Sequence, residues 1–232
     1  MDQPQVISFD CYGTLVDWES GIIAAGVALA KKRGVTVSAE EILRSYARGE
    51  SAAQAGPYIS YAEVLRRTYA SMCSDLGVPA HPDDADCLID ALRGFVPFAD
   101  TVDALRRLQD AGIALAILSN VDEDLFASTQ ERLGISFDWV VTAQAVGRYK
   151  PAARFFERGR ELFGGRRWLH AAQSLFHDIV PAKRAGIAAA HVTREVGRDA
   201  SAVPVVPADV LASIGDIDLV VPDLHSLADS VL

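Results

Sequence analysis

Hydrophobic residues recur along the chain in two patterns. Between residues 18 and 94 they return every three or four positions and no strand-like run occurs, which predicts an all-helical segment. Ser38 followed by Glu41 has the spacing of a capping box, and Gly34 and Pro57 interrupt the pattern. Four helices are therefore expected, at 20–33, 38–53, 58–76 and about 82–92.

Outside this segment, continuous apolar runs alternate with helical patterns. The predicted strands are 6–9, 113–119, 139–143, 168–172, 188–193 and 218–221, and the helices between them are 102–111, 123–133, 152–163 and 179–185, with a further helix at the C-terminus. Apolar strands alternating with helices indicate a parallel sheet covered on both faces, which binds ligands at the carboxyl ends of its strands. Residues 195–215 show neither pattern, and we expect them to have no regular secondary structure.

These patterns predict an α/β fold, a Rossmann-like parallel sheet core with an inserted all-helical cap. The expected boundaries are 1–16 and 95–232 for the core and 17–94 for the cap.

Composition narrows the possible partners. The chain has 232 residues, half of them hydrophobic, with a formal net charge of −9 and a pI near 5.0, which argues against binding to nucleic acid or an anionic membrane. Its three cysteines lack a metal-binding or disulfide spacing, and no apolar run reaches about 18 residues. With no basic region and apolar run at the N-terminus, we expect a cytoplasmic protein. Because the net charge is negative, any small anionic substrate must be bound by a local cluster of positive groups.

The stretch from Val6 to Asp17 carries the first candidate chemistry. Its strand delivers Asp10 to a turn at Gly13, where peptide N–H groups can surround the carboxylate. Asp10 in such a place can attack an electrophile. The alternative is an aspartate that only accepts backbone hydrogen bonds in a turn.

The sequence Asp-Cys-Tyr-Gly-Thr-Leu at 10–15 resembles motif I of the haloacid dehalogenase superfamily, in which the first aspartate is the nucleophile. The second aspartate of the motif is replaced by Tyr12, a variant similar to the type II (L-2-haloacid) dehalogenase branch. Ser119 and Asn120 resemble motif II, which holds the anionic end of the substrate, although both are also common helix N-caps.

Two further motifs follow in order. Lys150, just before Pro151, resembles the motif III lysine that keeps the nucleophile ionised; a solvated surface lysine is the alternative. In motif IV, Gln173 and Ser174 occupy the first acidic site and Asp178 keeps the second. Gln173 offers only a neutral oxygen where phosphatases of the superfamily bind magnesium, so no metal site is expected.

The replacement at position 12 favours carbon–halogen displacement. A phosphate ester needs a general acid for its leaving group, and a phenol with a pKa of about 10 is a poor one, whereas halide leaves without a proton. The resemblance implies that Asp10 attacks C2 of a 2-haloacid to form an ester, and that Asp178 with Lys150 nearby directs water onto it. It implies substrate contacts from Tyr12, Thr14, Arg44, Ser119, Asn120 and Ser174, with Arg48 as the alternative cap arginine and Trp18 as a pocket-lining candidate.

The chain departs from the dehalogenase branch at three positions. Phe156 stands where a tyrosine is expected, and Gln173 and Leu175 replace a serine and an asparagine. The alternatives are therefore a magnesium-dependent phosphatase with another acid, such as His177, and a non-catalytic binding module. We otherwise expect His177 to be structural, and the resemblance implies a homodimer.

Overall fold

The protein, a computed structural model, is described for residues 2–194 and 206–232. Across these residues one parallel sheet has six strands in the order β5-β4-β1-β6-β7-β8. The strands are β1 (Val6–Phe9), β4 (Ala114–Ser119), β5 (Trp139–Thr142), β6 (Trp168–Ala172), β7 (Ala188–Val192) and β8 (Leu219–Val221). The predicted fold class is confirmed.

Apolar side chains bury both faces of this sheet. Along β1, Ile7 and Phe9 belong to one hydrophobic cluster while Val6 belongs to another, and in β4 Leu115 and Leu118 divide in the same way. Successive side chains of a strand point to opposite faces, so an apolar run with no alternation indicates a doubly covered sheet. The helices of this part are α5 (Thr101–Asp110), α6 (Glu123–Leu133), α7 (Ala143–Val146), α8 (Arg154–Phe163), α9 (Val180–Arg184), α10 (Ala208–Ser213) and α11 (Leu224–Val231).

Helices alone fill the chain between residues 18 and 93, apart from their connections. They are α1 (Trp18–Lys32), α2 (Ala39–Gln54), α3 (Tyr61–Asp75), a 3₁₀ turn (Pro82–Asp84) and α4 (Cys87–Arg93). Two short antiparallel strands, β2 (Val16–Asp17) and β3 (Val96–Pro97), pair where the chain enters and leaves this helical layer. The capping box at Ser38 and Glu41 is present as predicted.

Contacts between the helical layer and the sheet lie close to the strand ends. The Asp122 carboxylate, in the turn after β4, accepts hydrogen bonds from the N–H groups of Tyr61 and Ala62 at 2.8 and 2.9 Å, so it caps the N-terminus of α3. The Tyr149 hydroxyl donates to the Ile59 carbonyl at 2.9 Å. These bonds place the helical layer over the carboxyl ends of β1, β4 and β6.

Three local features differ from the sequence expectation. Residues 208–213 form α10, so part of the stretch predicted to be irregular is helical, while 195–205 lie outside the described residues. The short helix α7 was not predicted, and the helix expected from residue 179 is preceded by a π-helical turn, Leu175–Ile179. Within the described ranges, no helix has the length and apolar character needed to span a bilayer.

Candidate active site

Asp10 follows β1 and lies at the base of a cavity of about 880 Å³ between the sheet and the helical layer. Its side chain is oriented from both sides. Oδ1 accepts a hydrogen bond from the Lys150 ammonium at 2.8 Å, and Oδ2 accepts one from the Thr14 hydroxyl at 2.9 Å. Only 8% of the residue is exposed, so the carboxylate is a fixed group that a ligand in the cavity can reach.

Lys150 joins two carboxylates. Its ammonium donates to Asp10 at 2.8 Å, to Asp178 Oδ1 at 2.6 Å and to the Leu118 carbonyl at 2.8 Å. A lysine has three N–H donors, so this set of acceptors uses all of them. Lys150 is 2% exposed, and all three hydrogen bonds of its ammonium go to protein groups.

The three charges have different proton affinities. Burial raises the pKa of Asp10, and the nearby Lys150 ammonium offsets only part of that increase. Burial also acts to raise the pKa of Asp178, but Lys150 and His170 outweigh it and bring the value to about 2. For Lys150, burial acts to lower the pKa and the two carboxylates outweigh it, so the ammonium stays charged. Asp10 is thus the more basic, hence more nucleophilic, carboxylate.

The side chains of Thr14 and Asn120 form hydrogen bonds with other residues of the protein. The Thr14 hydroxyl is fully buried, donates to Asp10 and accepts the Gln173 N–H at 3.0 Å, so its hydrogen bonds are made within the protein. The Asn120 amide brackets the backbone of Lys150, accepting its N–H at 2.6 Å and donating to its carbonyl at 3.3 Å. Both side chains therefore help to position Asp10 and Lys150, and Asn120 also lines the cavity.

Ser119 and Ser174 line the same cavity but differ in their hydrogen bonding. The Ser119 hydroxyl is buried and has no hydrogen-bond partner in the described residues. The Ser174 hydroxyl accepts the N–H of His177 at 3.1 Å and lies 3.2 Å from its Nδ1, so it caps the π-helical turn. Ser119 is consequently the serine that a bound anion would satisfy.

Neither Tyr12 nor His177 is suited to protonate a leaving group. The Tyr12 hydroxyl lies 2.9 Å from the Thr129 hydroxyl, its ring meets Phe95 edge-on, and burial raises its pKa well above the usual range. Burial lowers the pKa of His177 to about 4, so its imidazole is neutral at neutral pH. Both residues line the cavity, and the chemistry there must proceed without a proton from either.

Three arginines border the cavity, and two of them are paired. Arg44, the predicted cap arginine, forms an ion pair with Glu40, and Arg48 forms one with Asp75 at 2.9 Å. Arg148, two residues before Lys150, has no ion partner in the described part of the chain. Sequence reasoning missed Arg148, although its place beside the motif III lysine was a usable signal.

The wall opposite the sheet is aromatic and carries one carboxyl group. Trp18 lines it, as expected from the sequence, and packs on Tyr46 with ring centroids 5.3 Å apart. The Tyr61 hydroxyl donates to Glu50 Oε1 at 2.5 Å, and the Tyr46 hydroxyl donates to the same oxygen at 3.4 Å. Burial raises the pKa of Glu50. A ligand here would meet aromatic rings and a hydrogen-bonding carboxyl group; the sequence indicated Trp18 but not Tyr46, Tyr61 or Glu50.

The donor set fits a divalent cation poorly. In the described residues no group of three or more His, Cys, Asp or Glu side chains is placed to hold a metal. Asp10 uses both oxygens for Lys150 and Thr14, and Gln173 supplies a neutral amide in place of an acid. Magnesium favours carboxylate oxygens, so these residues do not make a magnesium site.

Comparison with known proteins agrees with this geometry. The family model of haloacid dehalogenase-like hydrolases matches residues 4–186, which include Asp10, Lys150 and Asp178. The chain belongs to that family, a class of hydrolases.

Particular relatives are dehalogenases. An (S)-2-haloacid dehalogenase of Pseudomonas putida is 27% identical over 166 residues, which cover 71% of this chain and 73% of the relative. Haloacetate dehalogenase H-2 of Moraxella sp. (strain B) is 27% identical over 167 residues, covering 71% and 74%. The L-2-haloacid dehalogenase from Xanthobacter autotrophicus shares the fold with a TM-score of 0.79 and 22% identity, over 98% of both chains. A second structure of that enzyme holds covalently bound chloropropionic acid and has a TM-score of 0.74.

Proposed function

We propose that the protein hydrolyses the carbon–halogen bond of 2-haloacids through an ester formed on Asp10. The observation that carries this proposal is a buried carboxylate with a raised pKa, held by Lys150 and Thr14 at the base of a cavity in which neither Tyr12 nor His177 is suited to protonate a leaving group. Such a site suits halide, which departs as a stable anion without a proton. The names of the relatives point to the same reaction.

The reaction takes two steps. An Asp10 oxygen attacks C2 of the acid as the carbon–halogen bond breaks, which inverts C2 and leaves an ester. Water then attacks the carbonyl carbon of that ester and gives a proton to Asp178. The bond between the carbonyl carbon and the ester oxygen breaks, and the 2-hydroxy acid leaves after taking that proton. Asp10 loses the second proton of that water to solvent, so Asp10 and Asp178 return to their starting charges. One 2-haloacid and one water are consumed, and one 2-hydroxy acid, one halide and one proton are released.

The substrate carboxylate binds beside Arg148 and the Ser119 hydroxyl in this proposal. Arg148 has a guanidinium without an ion partner among the described residues, and the Ser119 hydroxyl lacks any hydrogen bond there. Charge-assisted hydrogen bonds from a guanidinium are among the strong ones in proteins. Arg44 and Arg48 are the second choice because ion pairs already hold them.

The cavity also bears on substrate size. Cavities of 300–1,000 Å³ are typical of sites for drug-sized ligands, and this one has about 880 Å³ and an aromatic wall. The proposed substrates therefore include 2-haloacids with side chains longer than a methyl group.

The test measures halide release from 2-chloropropionate and 2-chloro-3-phenylpropionate, and phosphate release from a panel of phosphate esters, each with magnesium or with chelator. We expect halide release that chelator leaves unchanged, together with no phosphate release, and Asp10→Asn as the inactive control. Phosphate release that stops with chelator would replace the proposal with a phosphatase. No turnover on either panel would favour a binding module.

Four further expectations from the sequence complete the proposal. We place the cap at residues 17–94 and the core at 1–16 and 95–232, and we propose a cytoplasmic homodimer that needs no cofactor. The free thiols of Cys11, Cys73 and Cys87 are consistent with a reducing compartment. Light scattering of the purified protein decides the subunit number, and a monomer at micromolar concentration would exclude the dimer.

A further inference from the structure

A buried chain of hydrogen bonds runs beneath Asp178. Trp168 Nε1 donates to the Ser8 hydroxyl at 2.6 Å, Ser8 Oγ lies 2.8 Å from His170 Nδ1, and His170 Nε2 lies 3.1 Å from Asp178 Oδ1. Ser8 and His170 are directly paired across β1 and β6, and both are fully buried. The mechanism above uses none of Trp168, Ser8 and His170.

The donors and acceptors in this chain identify the group that donates to Asp178. An indole N–H can only donate, so Ser8 Oγ accepts from Trp168 and has one proton left to give. Ser8 Oγ and His170 Nδ1 pair whichever of the two atoms carries the proton, and only a ring with a proton on Nε2 can donate to the Asp178 carboxylate. The opposite tautomer would set the Nε2 lone pair against the Asp178 carboxylate. His170 therefore donates to Asp178.

The consequence for Asp178 is a carboxylate with one oxygen free. Lys150 and His170 both donate to Oδ1, and Oδ2 receives no hydrogen bond from the described residues, although Asp178 lines the cavity. We propose that His170 is a positioning residue, whose Nε2–H fixes the rotation of the Asp178 carboxylate so that Oδ2 presents its lone pair to the water that hydrolyses the Asp10 ester. This inference rests on the proposed function.

Neither Phe156 nor Lys150, which lie beside His170 and Asp178, can replace the hydrogen bond that His170 donates to Asp178. Its ring meets the Phe156 ring edge-on, with centroids 5.3 Å apart, and phenylalanine has no hydrogen to donate to a carboxylate. Lys150 already uses its other two donors on Asp10 and Leu118. Without His170, a single hydrogen bond would hold Asp178, and its carboxyl group could rotate about that contact.

The test separates the two chemical steps in single turnovers with 2-chloropropionate. Halide release reports formation of the ester, and mass spectrometry of the Asp10 peptide reports its loss. We expect His170→Leu to slow ester hydrolysis about 10–100-fold, the effect of losing a hydrogen bond to a charged group worth roughly 1.5–3 kcal/mol. Ester would accumulate while halide release changes far less. His170→Gln, whose amide nitrogen can replace Nε2–H, should restore most of the hydrolysis rate.

Two controls keep packing and positioning apart. Phe156→Leu disturbs the same cluster without removing a hydrogen bond, so we expect it to lower stability and leave the ratio of the two rate constants unchanged. Ser8→Ala removes the hydrogen-bond partner of His170 Nδ1 but leaves Nε2–H in place, so we expect ester accumulation smaller than in His170→Leu. Equal slowing of both steps in His170→Leu, or identical behaviour of the leucine and glutamine variants, would overturn the inference. An unlabelled Asp10 after a wild-type turnover in water enriched in heavy oxygen would instead refute the proposed function, and the positioning role with it.

Discussion

Replacing Lys150 with methionine tests how the buried charges hold the site together. Methionine keeps the length of the side chain but leaves Asp10 and Asp178 without their shared cation, and both carboxylates are almost entirely buried. Removing one partner of a buried ion pair costs about 3–5 kcal/mol because it leaves a charge uncompensated in the interior. We expect a loss of that size in the free energy of unfolding at pH 8.

The destabilisation caused by Lys150→Met should become smaller as the pH falls. In the wild type the pKa of Asp178, about 2, lies below its value in the unfolded chain, so its contribution to stability is present above the unfolded pKa and is lost only as the pH falls toward 2. Without Lys150, burial raises the pKa values of both carboxyl groups, and the folded variant takes up a proton before the unfolded chain does. The stability difference between wild type and variant should therefore shrink between pH 8 and pH 5.

Urea unfolding at the two pH values measures this effect, with Lys183→Met as the matched control. Lys183 pairs with Asp218 at 2.8 Å nearer the surface, where solvent screening limits the loss to at most about 1 kcal/mol. A Lys150→Met protein as stable as the control, or a destabilisation equal at both pH values, would refute the reasoning.

Other substitutions around the cavity separate folding from substrate binding. Ser119→Ala removes an unsatisfied buried hydroxyl, so the free energy of unfolding in urea titrations should stay unchanged or rise by up to about 1 kcal/mol. The KM for 2-chloropropionate should rise. A marked loss of stability would contradict this prediction. Arg148→Gln should raise KM about tenfold or more, the loss of a charge-assisted hydrogen bond, and Arg44→Gln should raise it less; the reverse order would return the anion site to the cap helix. Asp10→Asn should abolish halide release without lowering the thermal midpoint, because burial raises the pKa of that carboxyl and its charge opposes folding; a lower midpoint would contradict this. The acid limb of kcat/KM should lie above the ordinary aspartate pKa of about 3.9 for the same reason, and a limb at or below that value would argue against Asp10 as the nucleophile.

The sequence predicted those features that depend on local pattern. Apolar runs identified the six strands of the sheet, and helical periodicity identified the inserted helices. Parallel strands end at one edge of their sheet, so Asp10, Ser119 and the residues after β6 could be expected to meet. The approach of Lys150 to Asp10 and Asp178 followed from the family motifs and not from the pattern of hydrophobic residues.

The partners of individual side chains could not be predicted in this way. A motif does not indicate that Thr14 forms a hydrogen bond with Asp10 or that Asn120 forms one with Lys150. Those bonds depend on the conformations of the turns that follow the strands. His170 is a polar residue inside an apolar strand, which was a visible irregularity. Its contact with Ser8, 162 residues away, exists only through the register of β1 against β6.

Isotope labelling of Asp10 tests the covalent step most directly. In a single turnover of 2-chloropropionate in water enriched in heavy oxygen, with enzyme in excess, water attacks the carbonyl carbon of the ester and leaves its oxygen on the enzyme. The account predicts heavy oxygen in the Asp10 peptide and an unlabelled hydroxyl group in the first product. Label found in the product and not in Asp10 would mean that water attacks the substrate directly, and would contradict the account.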